Sequence, residues 1–453
     1  MGAVKMLRRT PAARRQRPAA SFEERVRTRT AVLAVIGLGY VGLPLAVAHA
    51  RRGFRVIGID VDGEKVADIN AGRSFMRDVP AAEVSEAIQV GRLSAFTSYG
   101  ALRAADAIFI CVPTPCTKNK EPDTSRIEAA ARGIARYLQR GQLIVLRSTS
   151  YPGTTEELVR PILERGGMKV GKQVYLAFAP ERVDPGRKDF SIHNTPVIVG
   201  GCDPESARRA ALLLGQVTEK VVLVSSPAAA EMAKLLENVY RNVNIALVNQ
   251  VAMLCDRMGL NVWEILDAAA TKPYGFHAFQ PGPGVGGHCI PVDPYYLAWK
   301  AREYDFHMDF IELAARVNEE MPYHVVQKVL MVLNGGHTRN HGGPRVLVLG
   351  ITFKRDVEDY RDSPALKIIQ LLEARGVRVA YHDPFVPALT ANGHRYRSLA
   401  LTEQTLRGSD AVLIVTDHSS FDYDFTVRHA RMVLDTRNAT RRVRSGQEKV
   451  IRI

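Results

Sequence analysis

AVLAVIG at 31–37 runs straight into Gly37-Leu-Gly39-Tyr-Val-Gly42, so an apolar strand ends in a glycine turn that opens a helix. Few backbones meet that demand. Gly37 permits a tight turn, Gly39 lets the main chain approach a pyrophosphate, and Gly42 allows close helix–strand packing. The free N–H groups at the helix start favour such an anion. Asp60 ends the next strand 18 residues beyond Gly42, where a carboxylate accepts from both ribose hydroxyls and repels a 2′-phosphate. The pattern predicts a dinucleotide-binding α/β domain with NAD, rather than NADP, as cofactor. Tyr40 and Val41 within the turn, and Lys65 beyond Asp60, join the expected cofactor contacts.

Apolar runs at 54–60, 105–113, 142–149 and 174–180 read as buried parallel strands, extended by VIVGG (197–201) and VVLVSS (221–226). Such continuous runs require helices on both sheet faces. Ligands in these sheets bind beyond the strand ends, which brings Pro113, Thr114, Ser148 and Thr149 to the crevice. At residue 228 the pattern changes to a stretch without proline, and without glycine before Gly259, long enough for a helix of about 30 residues. A Gly/Pro-rich loop at 280–287 and more helical sequence follow. A second α/β unit starts at Pro344, with strands in RVLVLGITF, VRVAYHDP, AVLIVTDH and RMVLDTR. The expected fold is α/β: two Rossmann-like, doubly wound domains joined by a long central helix and a helical middle domain. The boundaries read 31–226, 227–330 (suited to dimerisation) and 343–440, with disordered basic tails at 1–30 and 441–453.

The net charge of +14 resembles a nucleic-acid signal until it is located: +7 falls in residues 1–30 and +4 in 441–453, leaving +3 for the body. Nucleic acid is therefore not the expected partner. Five cysteines without a CxxC pair fit a reduced cytoplasmic setting and give no zinc site. Residues 31–48 carry no charge and follow Arg8-Arg9, which invites an export or membrane reading. The three glycines and Pro44 that interrupt the run argue against insertion.

Cys289 closes the stretch PGPGVGGHCIPVDP (281–294), too glycine-rich to be a packed element. Locally it reads as a small buried hydrophobe, the usual fate of a free cysteine. An alcohol oxidation that continues past the aldehyde to an acid needs a nucleophile, and a thiolate supplies it. Its pKa must then be drawn down by cations or N–H groups. Lys234 and Asn238 share a helix face at i, i+4 and suit oxyanion stabilisation. Glu181, in APERVDPG, is a candidate for water activation. His288 and Cys289 are adjacent in a loop and are expected to point apart.

With GLGYVGLPLA, VPTP, STSYPGTTEE, APERVDPG, AKLLENVYRNVNIALVNQ, GPGVGGHCIPVDP and GITFKRDVEDYRDSP in this order, the chain resembles the UDP-glucose/GDP-mannose dehydrogenase family from about residue 31 to 440. The resemblance implies a nucleotide-sugar 6-dehydrogenase in which Cys289 is the nucleophile and Asp293 assists water and proton transfer. It implies that the last domain binds the UDP-sugar through Lys354 and Arg361, with Arg182, Tyr274, Phe276 and Gly286 completing the sugar site. Val292 stands where UDP-glucose enzymes of the family carry lysine, which favours an acetamido sugar, UDP-N-acetylglucosamine first. UDP-N-acetylmannosamine, UDP-glucose and a two-electron hydroxy-acid oxidation are the alternatives. A homodimer or higher oligomer through the central helix is expected.

Overall fold

The computed structural model describes residues 20–453 except 77, 118, 185–188, 338–342 and 392. Strands β1 (Val32–Ile36), β2 (Arg55–Ile59), β3 (Leu93–Phe96), β4 (Ala107–Ile110), β5 (Leu143–Leu146), β6 (Tyr175–Phe178), β7 (Val197–Gly201) and β8 (Val221–Val224) form one sheet in the order β3-β2-β1-β4-β5-β6-β7-β8. The chain reverses direction of growth between β1 and β4, which opens the ligand crevice beyond their carboxyl ends. Alternation along β1 sends Leu33 and Val35 into one core and Ala34 and Ile36 into the other, one on each sheet face. Each fully buried side chain of this kind contributes about 1.5–3 kcal/mol.

Two details depart from expectation. β7 runs antiparallel to β6, so the all-parallel series stops at β6. β8 is an edge strand with Leu223 exposed, not a buried one.

A spine helix, Pro227–Met258, spans 32 residues, about 48 Å. Ser226 caps its start by accepting from Ala229 N, and Gly259 at φ +69° ends it. Helix Asp309–Val332 lies along it, joined by Asn249 Nδ2 donating to Asn318 Oδ1 at 2.9 Å. Helix Asp293–Ala301 fills the space beside both. No helix of the described residues is long and apolar enough to cross a membrane.

The third domain holds β9 (Arg345–Leu349), β10 (Arg378–His382), the hairpin β11 (Ala388–Ala391) and β12 (His394–Arg397), β13 (Ala411–Ile414), β14 (Val433–Asp435) and β15 (Val450–Arg452). Its parallel sheet is ordered β10-β9-β13-β14-β15.

Both tail assignments are corrected. Residues 441–453 end in β15, which pairs with β14 from Val433↔Val450 to Asp435↔Arg452. Residues 22–27 form a helix whose Phe22 and Val26 are buried in the first domain's core, while Arg25 pairs with Asp106 at 2.7 Å. Two apolar side chains at i, i+4 were enough to seat a basic segment. Residues 1–19 of the expected tail lie outside the described residues.

Candidate active site

The glycine turn has the geometry its spacing demands. Gly37 stands at φ +87°, and a Cβ there would meet Cys111 O at 2.7 Å. A Cβ on Gly42 would meet Gly37 O at 1.8 Å, so helix and strand could not approach. At Gly39 nothing lies within 4 Å of an added Cβ. That open ground before helix Gly42–Arg51 is the space a pyrophosphate needs, so these residues fit NAD. Val41 caps this helix. Asp60 holds the turn by accepting from Leu38 N at 2.8 Å, and Lys65 Nζ reaches the same oxygen at 3.2 Å. Tyr40 is exposed at the crevice.

The strand-end loops meet here. Thr114 Oγ1 donates to Thr149 O at 2.6 Å, and Ser148 Oγ donates to Val112 O at 2.7 Å. Pro113 lies beside them. The buried Tyr296 donates its hydroxyl to Thr114 O, which ties the cofactor crevice to helix Asp293–Ala301.

Ile290, Pro291 and Val292 separate Cys289 from that helix; the Cys289 carbonyl accepts from Val292 N at 3.1 Å and from Asp293 N at 2.8 Å. Its side chain is accessible at the crevice mouth yet ringed closely by protein. Loss of water pushes the thiol up to about 12; Asp293 raises it further and Lys234 opposes the rise. Here the structure differs from the sequence expectation of a lowered pKa, because burial outweighs the cation.

Lys234 and Asn238 point to this spot from the spine helix, and both are buried. Asn238 Nδ2 donates to Asp293 Oδ2 at 2.5 Å. Asp293 is 3% exposed, and burial pushes its carboxyl up to about 6 against the pull of Lys234 and Asn238. Among the described residues Lys234 has no hydrogen-bond or ion-pair partner. A buried, unpaired ammonium beside a thiol and a carboxyl is costly unless an incoming oxygen uses it. The cluster can polarise a carbonyl, stabilise an oxyanion, form a thioester and exchange a proton near neutrality.

The third domain completes the wall. A Cβ on Gly286 would meet Asp362 O at 2.6 Å, and one on Gly287 the Phe353 ring at 2.9 Å. His288 turns away from Cys289, as expected, and its Nε2 meets Asp359 Oδ2 at 2.6 Å. Burial would raise Asp359, but hydrogen bonds from His288 and Arg361 hold its carboxyl well below the usual range. Arg361 also lies over the Tyr40 ring at 5.3 Å, at the seam between the cofactor turn and the third domain. Lys354 pairs with Asp184 at 2.8 Å.

Other expected residues are more remote or already engaged. Glu181 is paired with Arg147 at 2.7 Å and accepts from Arg182 N and Val183 N at 2.8 Å each. Arg182 pairs with Glu237 at 2.7 Å. Tyr274 and Phe276 stand exposed on a loop held to the spine by Tyr240 and His277 at 2.5 Å; no described contact joins them to Cys289.

Sequence reasoning missed Arg437. Its Nε donates to Val415 O at 2.9 Å beyond the ends of β13 and β14, and its guanidinium fills the space beside Gly282. Burial and Arg355 pull its pKa down to about 10, and no described carboxylate pairs with it. A desolvated cation without a counter-ion beside the glycine-rich loop can take up an anion. Its one sequence signal is a charged residue just past a strand end. Asp184 and Asp359 were missed for a related reason: each pairs with a residue far away in the chain.

The chain matches three consecutive models of the UDP-glucose/GDP-mannose dehydrogenase family: the NAD binding domain over 31–218, the central domain over 228–320 and the UDP binding domain over 347–442. It is 35% identical over 392 residues to a UDP-N-acetyl-D-glucosamine 6-dehydrogenase of Pseudomonas aeruginosa, covering 86% of this chain and 91% of that one. It is 37% identical over 416 residues to an NDP-N-acetyl-D-galactosaminuronic acid dehydrogenase of Ralstonia nicotianae, covering 89% and 95%. The solved structure of a UDP-D-ManNAc dehydrogenase from Pyrococcus horikoshii superposes with a TM-score of 0.83 at 33% identity, covering 93% of this chain and 98% of that one.

Proposed function

Because the chain belongs to the UDP-glucose/GDP-mannose dehydrogenase family, whose members are NAD-dependent nucleotide-sugar dehydrogenases, we propose that it oxidises C6 of a UDP-N-acetylhexosamine, UDP-N-acetylglucosamine first, from alcohol to carboxylate. The observation that carries this reading is the meeting of Cys289, Lys234, Asn238 and Asp293 in one crevice. NAD held at the glycine turn and Asp60 would accept the hydride of the first oxidation, and a second NAD taken up after release of the first NADH would accept that of the second. Lys234 and Asn238 hold the sugar's C6 oxygen and stabilise it as charge develops. At the aldehyde, the Cys289 sulfur adds to C6 while its proton passes to the C6 oxygen, giving a thiohemiacetal. Loss of the second hydride from C6, with the hydroxyl proton released to water, leaves a thioester. Water then adds to the thioester carbon while Asp293 accepts its proton, the C–S bond breaks, and the thiol is restored with the acid. Glu181, held by Arg147, orders the water side of the crevice.

Lys354, Arg361 and Arg437 suit the diphosphate of the sugar nucleotide. The acetamido preference is supported by Val292 and by relatives named for three N-acetylhexosamine epimers. We also propose a homodimer formed through the spine helix.

The test is a panel of UDP-glucose, the three UDP-N-acetylhexosamines and GDP-mannose with NAD, counting NADH per sugar. About two NADH per UDP-N-acetylglucosamine, the fastest substrate, is expected, with acid formation lost in Cys289→Ser. One NADH per sugar, or a serine variant forming acid at the normal rate, sinks the four-electron route. Faster turnover of UDP-glucose removes the substrate assignment alone.

A further inference from the structure

Glu231 lies one turn before Lys234 on the spine helix and takes no part in the steps above. It is 1% exposed, yet its oxygens accept from three donors: Gly153 N at 2.6 Å, Thr155 N at 3.0 Å and Thr155 Oγ1 at 2.6 Å. All three belong to the segment that follows β5. The backbone there is unusual. Gly153 stands at φ +102°, and Thr154–Val159 winds as a π-helical turn whose first amides have no partner within the turn.

Burial pushes the Glu231 carboxyl up to about 7, while Thr155 and Gly153 pull it back. A neutral serine or threonine could cap such amides at far lower desolvation cost. The same segment is pinned a second time. Tyr151 packs on Trp299 with ring centroids 5.0 Å apart, and Glu157 accepts from Lys300 Nζ at 2.7 Å. Trp299 and Lys300 lie on the helix that begins at Asp293. Ser148 and Thr149, at the cofactor crevice, begin the segment so held.

We infer that Glu231 is a positioning residue that locks the loop after β5 to the helix turn carrying Lys234 and Asn238. It thereby sets the distance between the cofactor end of the crevice and the carbon held at Cys289. The inference rests on the functional reading above. Misplacing reacting groups by about 1 Å costs on the order of 100-fold in rate.

Glu231→Gln keeps the side chain's size but turns one acceptor oxygen into an amide NH2 group, a donor facing an N–H donor. Thr155→Val is isosteric, removes only the hydroxyl donor, and serves if the glutamine variant does not fold. With the full chain, NAD and the best UDP-sugar, kcat should fall about 100-fold in the first and about 10-fold in the second. KM for the sugar should stay within about twofold, and the primary deuterium isotope effect on kcat with C6-deuterated sugar should rise above that of wild type. An unchanged kcat and isotope effect, or a raised KM with normal kcat, overturns the inference. A wild type that reduces NAD with no UDP-sugar overturns the functional reading and this inference together. Active wild type with unaffected variants overturns this inference alone.

Discussion

Asp293 carries its proton closer to neutrality than an ordinary aspartate, since burial lifts its carboxyl from 3.8 to about 6. As the proton acceptor it works ionised, so kcat should climb as pH rises through about 6 and level off above. Asp293→Asn should lose that limb and about 100- to 10,000-fold in kcat; a pH–rate profile keeping the limb in the variant removes the assignment. Stability moves the opposite way. A raised folded-state pKa gives an advantage that is complete below about pH 4 and lost as pH rises through about 6. Melting temperatures from pH 4 to 7 should therefore show Asp293→Asn gaining on wild type, by the equivalent of about 3 kcal/mol. At this scale the sequence shows Cys289, Lys234 and Asn238 well, because loop composition and i, i+4 spacing are local. It does not show Arg437 or Asp184, whose meaning comes from missing or distant counter-charges.

The spine helix explains why its sequence mixes polar and apolar residues without an obvious amphipathic face. One face holds Glu231, Lys234, Asn238, Asn242 and Asn249, each buried. Asn238, Asn242 and Asn249 bond in turn to Asp293, Ile290 O and Gly282 N, so the helix is a ruler along which the nucleophile loop is laid. Another stripe, Met232, Leu236, Tyr240, Leu247, Leu254 and Met258, is exposed at helical spacing, more apolar surface than a lone helix leaves in water. Leu236→Glu with Leu247→Glu should shift the protein from dimer to monomer in analytical ultracentrifugation; a monomeric wild type, or a dimer surviving both charges, sinks that interface. The helix itself was legible because nothing in it breaks a helix. β3 (Leu93–Phe96) was not, since LSAF is short and partly exposed, and the antiparallel sense of β7 leaves no mark in local composition.

Seen as a whole, the molecule converges on one loop from three sides. The first domain brings the cofactor turn and Tyr40, the middle brings Lys234, Asn238 and Asp293, and the third brings Phe353, Asp359 and Arg361 against Gly286–His288. The two Rossmann-like domains were legible from their strands, whereas this convergence is a property of packing between segments hundreds of residues apart. Crowding has a chemical corollary for the sulfur it surrounds. A thiol whose surroundings hold its proton presents almost no thiolate to peroxide or alkylating agents. Iodoacetamide at pH 8 should label Cys289 in the ligand-free protein at least about tenfold more slowly than it labels a small free thiol, followed by intact mass. Labelling as fast as that of the free thiol contradicts it. An enzyme built this way leaves its nucleophile within reach of solvent yet in its less reactive, protonated form while the crevice is empty.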